Sequence, residues 1–465
     1  MIHHLTPDFL LDRLARGERS GRLDGACVFV DISGFTPLTL ALMEHGTEGA
    51  EVLAGVLAAV FTPLIDTVYA HGGFIAGFAG DAFKAVFPAA NDDAAVAASA
   101  VAHAVTAAWA MGEHLRHAAA QTTRFGTFAF SGKVCVAAGA VHWEVWQADG
   151  PLAADAQQAA YVFGGPALDA AMQLDPLAAR GEVVLTAAVA AHMAQPLQTA
   201  AREGGLLLTR LDAPLPASED AGHTPAGDPA LAAHFFPSAL LNSTVQGEFR
   251  RVTTAFVNLT GTLPAAARDD FAATLFRLLA QYDGFLGRVG RIGGKDDGHT
   301  FLLFWGAPTG SERDVDRALG FLLDMQAASP VALRAGVTTH LAYAGFVGAP
   351  RREEYTCYGS YVNLAARQVI AAAAHEIWVD AATATAARDF TTVAHGTHTF
   401  KGMDAARPIF LVTGRRARTQ ARAYDGHMVG RTRELARLDA AVAPIFRRSF
   451  GGMVIVRGEA GMGKS

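Results

Sequence analysis

Cysteine is scarce. Three stand in 465 residues, Cys27, Cys135 and Cys357, far apart and without CxxC or Cys/His spacing. That excludes a thiolate zinc site and a disulfide framework; it fits a reducing compartment, so a cytoplasmic location is expected. Long basic runs are missing as well, and the formal net charge is −6. A nucleic-acid-binding surface is therefore not expected. No stretch offers ~18 clean apolar residues; the alanine-rich run 93–111 is broken by polar residues, so no membrane span is expected. Residues 1–16 are amphipathic, include Asp8 and Asp12, and lack the basic flank and long apolar run of a secretory signal. His71, His142, His299, His340, His395 and His398 show no metal-ligand spacing and are read as core or surface residues. What is present is apolar. Hydrophobic residues make up 51% and charged residues 18%, in a chain long enough for roughly two to four domains.

The chain also repeats itself. Phe29-Val30-Asp31-Ile32-Ser33-Gly34-Phe35-Thr36 returns as Ala255-Phe256-Val257-Asn258-Leu259-Thr260-Gly261, with Asn258 where the first copy has Asp31. Later the asymmetry reverses. Tyr358-Gly359-Ser360-Tyr361-Val362-Asn363-Leu364-Ala365-Ala366-Arg367 answers a first-copy segment in which Leu168 and Met172 are read at the Asn and Arg positions. Complementary losses in two similar domains point to one composite site between them.

Each copy reads as a strand, a helix, a hairpin, a second helix and further strands. In the first copy the strand is 26–30, the helix 37–69, the hairpin 74–87 with Gly80-Asp81 at its turn, the next helix 92–119, and later strands 133–140 and 181–186. In the second the order is 252–258, 269–282, 285–304, 313–328, 332–338 and 376–379. Helices alternate with strands and at least one hairpin, so an α+β fold with helices on mixed sheets is predicted. The expected division is a first domain over 1–200, a linker over 201–249, a second domain over 250–414, and a further segment over 415–465. The Ala/Pro/Gly/Asp-rich stretch 198–238 carries the linker signal.

Asp31 and Asp81 each sit where an apolar strand meets a turn. Two neighbouring carboxylates repel unless a cation lies between them, and hard oxygen ligands suit Mg²⁺. Taken alone, Asp31 reads equally as a turn cap and Asp81 as a hairpin residue. The small segment 32–36, opening onto a helix, can cradle phosphates with its N–H groups or be an ordinary helix start. Asn363 and Arg367 are four apart and share a helix face. A guanidinium there forks onto phosphate oxygens or is simply solvated.

Together these motifs resemble class III nucleotidyl cyclases, above all the tandem soluble adenylyl cyclase type, over residues 23–195 and 250–414. The resemblance implies two cyclase domains with ferredoxin-like cores, paired about a pseudo-twofold axis within one chain, so that no second copy is needed. It implies two Mg²⁺ (or Mn²⁺) held by Asp31 and Asp81 with help from the backbone of Ile32. Ser33, Gly34, Phe35 and Thr36 would hold the phosphates. Lys133 would reach the terminal phosphates, Asn363 would place the ribose, and Arg367 would meet the charge building on the α-phosphate. The adenine readers in this family stand in the second copy. Thr356, seven before Asn363, fits one. Aligning Phe87 with Trp305 sets His299 opposite Asp81 and leaves Lys295, four residues earlier, for the other; sliding Asp296 or Asp297 opposite Asp81 is the alternative. Both readers favour ATP over GTP. Gly77 stands where animal soluble cyclases carry a lysine for bicarbonate, so that sensing is not expected. The implied product is cyclic AMP; the competing readings are a non-catalytic ATP-binding regulator and a guanylyl cyclase.

The C-terminal stretch has the Walker A pattern Gly458-x-x-x-x-Gly463-Lys464-Ser465 after a predicted strand over 453–457. Gly-rich backbone would wrap phosphates, Lys464 would reach the β/γ oxygens and Ser465 would bind Mg²⁺. It reads as the start of a P-loop ATPase module whose remainder is missing from this sequence.

Overall fold

The computed structural model describes residues 3–89, 94–117, 120–148, 155–193, 197–217, 228–291, 298–400, 403, 405–416, 432–447, 452 and 454–455. The chain forms two compact units, Met1–Arg415 and Arg416–Ser465.

In the larger unit, α1 (Asp8–Ala15) precedes β1 (Ser20–Ser33), α2 (Phe35–Met43), α3 (Gly46–Ala70), β2 (Phe74–Ala79), β3 (Ala82–Pro88) and α4 (Ala94–His117). A small hairpin, β4 (Ala120–Thr123) and β5 (Gly126–Ala129), leads into β6 (Ser131–Gln147), β7 (Ala159–Gly164), α5 (Pro166–Leu174), β8 (Val183–Leu185), α6 (Ala187–His192), β9 (Gln198–Arg202) and β10 (Gly205–Arg210). The short helices α7 (Pro229–Ala233) and α8 (Ser238–Leu241) lead to the second half. There β11 (Gly247–Leu259), α9 (Arg268–Gln281), β12 (Phe285–Arg291), β13 (His299–Trp305), α10 (Asp314–Ala328) and β14 (Leu333–Ala349) come first. They are followed by β15 (Arg352–Tyr358), α11 (Ser360–Ala371), β16 (Ile377–Asp380), α12 (Ala381–Ala386), β17 (Phe390–His398) and β18 (Arg407–Arg415).

The two halves make two eight-stranded sheets of one topology. The first runs β2-β3-β1-β6-β8-β10-β9 with β7 on β6; the second runs β12-β13-β11-β14-β16-β18-β17 with β15 on β14. β6 and β8 are parallel, as are β14 and β16, while the other pairs are antiparallel, so both sheets are mixed. The α+β expectation is borne out. Residues 198–210, read in the sequence as linker, instead form the β9–β10 hairpin at the edge of the first sheet. Only Leu208 of this hairpin is buried, and composition alone does not separate so exposed an edge from a loop.

The register fixes which residues correspond. Asp31 pairs with Ala82 and Asn258 with Thr300, so Asp31 answers Asn258, Asp81 answers His299, and Phe87 answers Trp305. His142 pairs with Gly164 and Tyr343 with Tyr358, and α5 and α11 each start two residues after those glycine and tyrosine positions. The counterparts of Asn363 and Arg367 are therefore Asp169 and Gln173, one residue beyond the Leu168 and Met172 read from the sequence. The first half still has no arginine there.

The helix expected over 37–69 is broken into α2 and α3 at residues 44–45. Gly49 explains the tight junction, because a Cβ there would lie 1.9 Å from the Leu42 carbonyl oxygen. Within α3, Leu53, Val56, Leu57, Val60, Phe61, Leu64 and Val68 are buried at three- and four-residue spacing, which makes one apolar stripe. α3 lies against β11 and β14 of the second half, and α9 lies against β6 of the first. The cores exchange residues in the same way. Tyr343, Val347, Ala349 and Tyr358 belong to the first core; Trp146, Ala160 and Val162 belong to the second. Gly46–Ala70 and Ala95–His117 are long and apolar enough, by length and composition, to cross a membrane. In this structure 50% and 44% of those apolar windows are buried against protein.

In the smaller unit, α13 (Thr432–Val442) leaves Leu435 and Val442 exposed. Gly458, Gly463, Lys464 and Ser465 lie outside the described residues, as does Lys295.

Candidate active site

Asp31 comes from the inner strand β1 and Asp81 from the turn of the β2–β3 hairpin that pairs with it. The Ile32 N–H donates to the Asp81 carbonyl at 3.2 Å, which locks the turn onto the end of β1. The two side chains perturb each other. Burial, and next the Asp31 charge, push the Asp81 carboxyl up to about 6. Burial, and next the charge of Asp175, raise Asp31, while Lys133 works the other way. Carboxylates that resist ionising together have a field that calls for a cation. Among the described residues no cluster of three His, Cys, Asp or Glu side chains forms a metal centre. The oxygen-only pair nevertheless fits a hard divalent ion, which characteristically completes its shell with water and phosphate oxygens.

Gly34 links β1 to α2 with φ +124°, and a Cβ there would meet the Ala129 carbonyl oxygen at 2.5 Å. Only glycine fits, and α2 begins at the next residue, Phe35, so its N-terminus follows Asp31 closely in the chain. Of the expected phosphate residues, Ser33 and Gly34 are partly exposed and Thr36 exposed. Phe35 is different. Its ring is buried against Phe61, so only its backbone is available to a ligand. Lys133 is directly across from Asp31 on β6, its Nζ 3.7 Å from Asp31 Oδ2 and 2.9 Å from Asp175 Oδ1.

Among the described residues, three side chains of the second half hydrogen-bond to this hairpin's backbone. The Tyr358 hydroxyl donates to the Gly80 carbonyl, the residue before Asp81. Glu354 Oε2 accepts from the Phe78 N–H at 3.3 Å, and Arg288 Nη1 donates to the Phe78 carbonyl at 2.5 Å. Tyr358 ends β15, two residues after buried Thr356 and two before α11 begins. α11 thus starts beside the Asp81 turn. Asn363 is exposed on it and Arg367 partly exposed, and among the described residues neither side chain makes a hydrogen bond or ion pair.

Sequence reasoning missed Arg288, Glu354, Tyr358 and Asp175. For Arg288 the cause is countable. Gly77 pairs with Lys84 and Arg288 with Leu302, so Arg288 is the structural counterpart of Gly77. Counting four residues back from His299 lands on Lys295 only because β12 and β13 are joined by residues 292–298, where β2 and β3 are joined by residues 80–81. The Gly-Gly-Lys-Asp-Asp-Gly composition of that stretch was the available signal of a longer turn. Arg288, Glu354 and Lys84 line a cavity of about 60 Å³ between the halves, with Gly77, Tyr161 and Tyr355. Burial, then the Arg288 charge, lower the Lys84 ammonium to about 8; burial raises Glu354.

The corresponding place in the second half is built to need no cation. Buried Asn258 donates to Thr300 Oγ1 at 3.1 Å and accepts from Arg334 Nε at 3.1 Å. A neutral, satisfied amide carries no charge to neutralise. Beside it, Glu144 takes Arg268 at 2.5 Å and His299 at 3.4 Å across the interface, and Trp146 Nε1 donates to it at 2.8 Å. Burial works to raise the Glu144 carboxyl; the contacts to His299, Trp146 and Arg268 outweigh it and leave it below the usual range.

Comparison with known proteins agrees on the fold. Residues 270–413 match the family model of the adenylate and guanylate cyclase catalytic domain. The chain is similar to the crystal structure of a class III adenylyl cyclase-like ATP-binding protein from Pseudomonas aeruginosa, with TM-score 0.50, 12% identity, and 79% of this chain and 86% of that one covered. It is also similar to the adenylyl cyclase CyaB from P. aeruginosa, at TM-score 0.33 and 23% identity over 37% of this chain and 98% of that one. The guanylate cyclase domain of RhGC from Catenaria anguillulae matches at TM-score 0.32 and 20% identity, over 37% of this chain and 100% of its own. No curated protein matches the sequence.

Proposed function

We propose, from the match of residues 270–413 to the family model of the adenylate and guanylate cyclase catalytic domain, that the chain is an adenylyl cyclase with one active site between its halves. The matched half has Asn258 and His299 where acids are needed, so the proposal requires the first half to supply them. The observation that carries it is the interlock of the Asp81 hairpin with Tyr358, at the foot of the helix bearing Asn363 and Arg367.

In this reading the ribose 3′-oxygen of ATP attacks the α-phosphorus, its proton leaves, and pyrophosphate departs as the ring closes. Asp31, Asp81 and the Ile32 backbone would hold two Mg²⁺ or Mn²⁺, which when bound would lower the hydroxyl pKa and neutralise the leaving group. N–H groups from Ser33 to Thr36 hold the phosphates, and Lys133 meets the far end of the triphosphate. Asn363 orients the ribose. Arg367, whose side chain has no hydrogen-bond or ion-pair partner among the described residues, would face the charge that grows on the α-phosphate. Thr356 and Arg288 border the base, with Lys295 as a further candidate. Three buried free cysteines suit a cytosolic setting, and one chain supplies both halves, so a monomer suffices. Gly458 to Ser465 keep the Walker A pattern of a nucleotide-binding module beyond the cyclase region.

A second reading, a non-catalytic ATP-binding regulator, is favoured by the similarity to the P. aeruginosa ATP-binding protein, which spans both halves. Incubating the purified chain with ATP or GTP, each with Mg²⁺ or Mn²⁺, separates the readings. Cyclic AMP is expected. Cyclic GMP alone would assign a guanylyl cyclase; bound ATP without any cyclic product would assign the regulator.

A further inference from the structure

Lys133 has an acidic anchor in Asp175. Its Nζ lies 2.9 Å from the Asp175 carbonyl oxygen and 2.9 Å from Asp175 Oδ1, but 3.7 Å from Asp31 Oδ2. Asp175 Oδ1 is buried without a hydrogen-bond partner, so the adjacent ammonium is the charge that compensates it. In the second half the register places Arg334 at the Lys133 position. Arg334 turns to the Ala372 carbonyl at 3.1 Å and to Asn258. Carrying the β7/β15 register along the helices, the residue at the Asp175 position there is Val369, buried and apolar. At this one position, then, the half that carries Asp31 has aspartate and the half that carries Asn258 has valine.

An ammonium and a divalent cation compete for one carboxylate. A partly buried Lys133 deprived of Asp175 has Asp31 as its nearest anion and would close the remaining gap, since a buried charge does not stay unpaired. We propose that Asp175 is a positioning residue that holds the Lys133 ammonium off Asp31, so that the Asp31–Asp81 pair stays open to a divalent cation and Lys133 stays free to turn to the nucleotide's phosphates. The inference rests on the metal-site reading above and deepens it.

The test measures Mn²⁺ binding by the electron paramagnetic resonance of free Mn²⁺, with no nucleotide present, on the full chain and its variants. Asp31→Asn identifies which bound Mn²⁺ belongs to the site. Asp175→Asn should weaken that binding about tenfold, the scale of one charge moved a few ångströms in a partly buried site. Asp175→Glu should restore it to within about twofold. In a Lys133→Met background, Asp175→Asn should have no further effect, because the acid acts through the lysine. Unchanged Mn²⁺ binding in Asp175→Asn overturns the proposal. So does an equal loss with Lys133→Met present, which would mean that Asp175 acts by its own charge. A wild-type chain with no Mn²⁺ sensitive to Asp31→Asn overturns the metal-site reading, and the proposal falls with it.

Discussion

Replacing Asp81 by Asn should stabilise the metal-free protein while abolishing its metal-dependent activity. In the folded chain the Asp81 carboxyl is raised from 3.8 to about 6, by burial first and by Asp31 second. A shift of about two units corresponds to ~3 kcal/mol of penalty on the ionised form. Partial solvent access reduces that to ~1–2 kcal/mol. The sign follows from linkage. The folded state holds the proton more tightly than the unfolded chain, so this group costs nothing below about pH 4, costs progressively more up to about pH 6, and its full amount above. Asn carries no charge at any pH. Urea unfolding in EDTA should therefore show Asp81→Asn more stable than wild type by ~1–2 kcal/mol at pH 7 and equal to it at pH 4. Excess Mn²⁺ should reverse the order at pH 7, stabilising wild type and not the variant. A variant less stable than wild type in EDTA at pH 7, or one with the same gain at both pH values, would refute the picture of two mutually repelling carboxylates awaiting a cation.

Arg367→Ala should lower turnover by at least ~10³-fold with no change in thermal midpoint, since its side chain has no partner among the described residues to lose; a melt followed by circular dichroism checks the second half of that statement. Gly34→Ala forces a side chain onto a backbone at φ +124° and against the Ala129 carbonyl. It should cost ~2–4 kcal/mol in urea unfolding and raise KM for the nucleotide. Tyr358→Phe removes the hydroxyl that holds the Gly80 carbonyl. It should cost ~1 kcal/mol of stability and weaken Mn²⁺ binding severalfold, which titration of free Mn²⁺ reads directly.

Much of this was legible in the sequence where apolar strands run into turns. Asp31 lies on β1, Asp81 at the turn just before β3, and Phe87 and Trp305 on β3 and β13, strands whose buried runs define themselves. Legibility failed where insertions or one-residue shifts decide the answer. Lys295 was reached by counting across a turn whose length differs between the halves, and strand pairing moves the position to Arg288. Leu168 and Met172 give way to Asp169 and Gln173 because the helices start at Pro166 and Ser360, which the pairing of β7 and β15 reveals and residue similarity does not. Tyr358, Glu354 and Asp175 act through contacts with residues distant in the chain, for which no local pattern exists. The β9–β10 hairpin was hidden for another reason: an edge hairpin with one face in solvent has the composition of a loop.

The central claim is that one reaction draws half its machinery from each repeat, and turnover by two single variants and their combination tests it most directly. With ATP and Mn²⁺, Asp31→Asn in the first half and Arg367→Ala in the second should each reduce cyclic AMP formation by at least ~10³-fold. The double variant should be little worse than either, because the groups act as one unit. Equimolar mixing of the two single variants should restore nothing, since each chain closes its own site. Near-normal turnover in either single variant, or recovery on mixing, would contradict a single composite site within one chain.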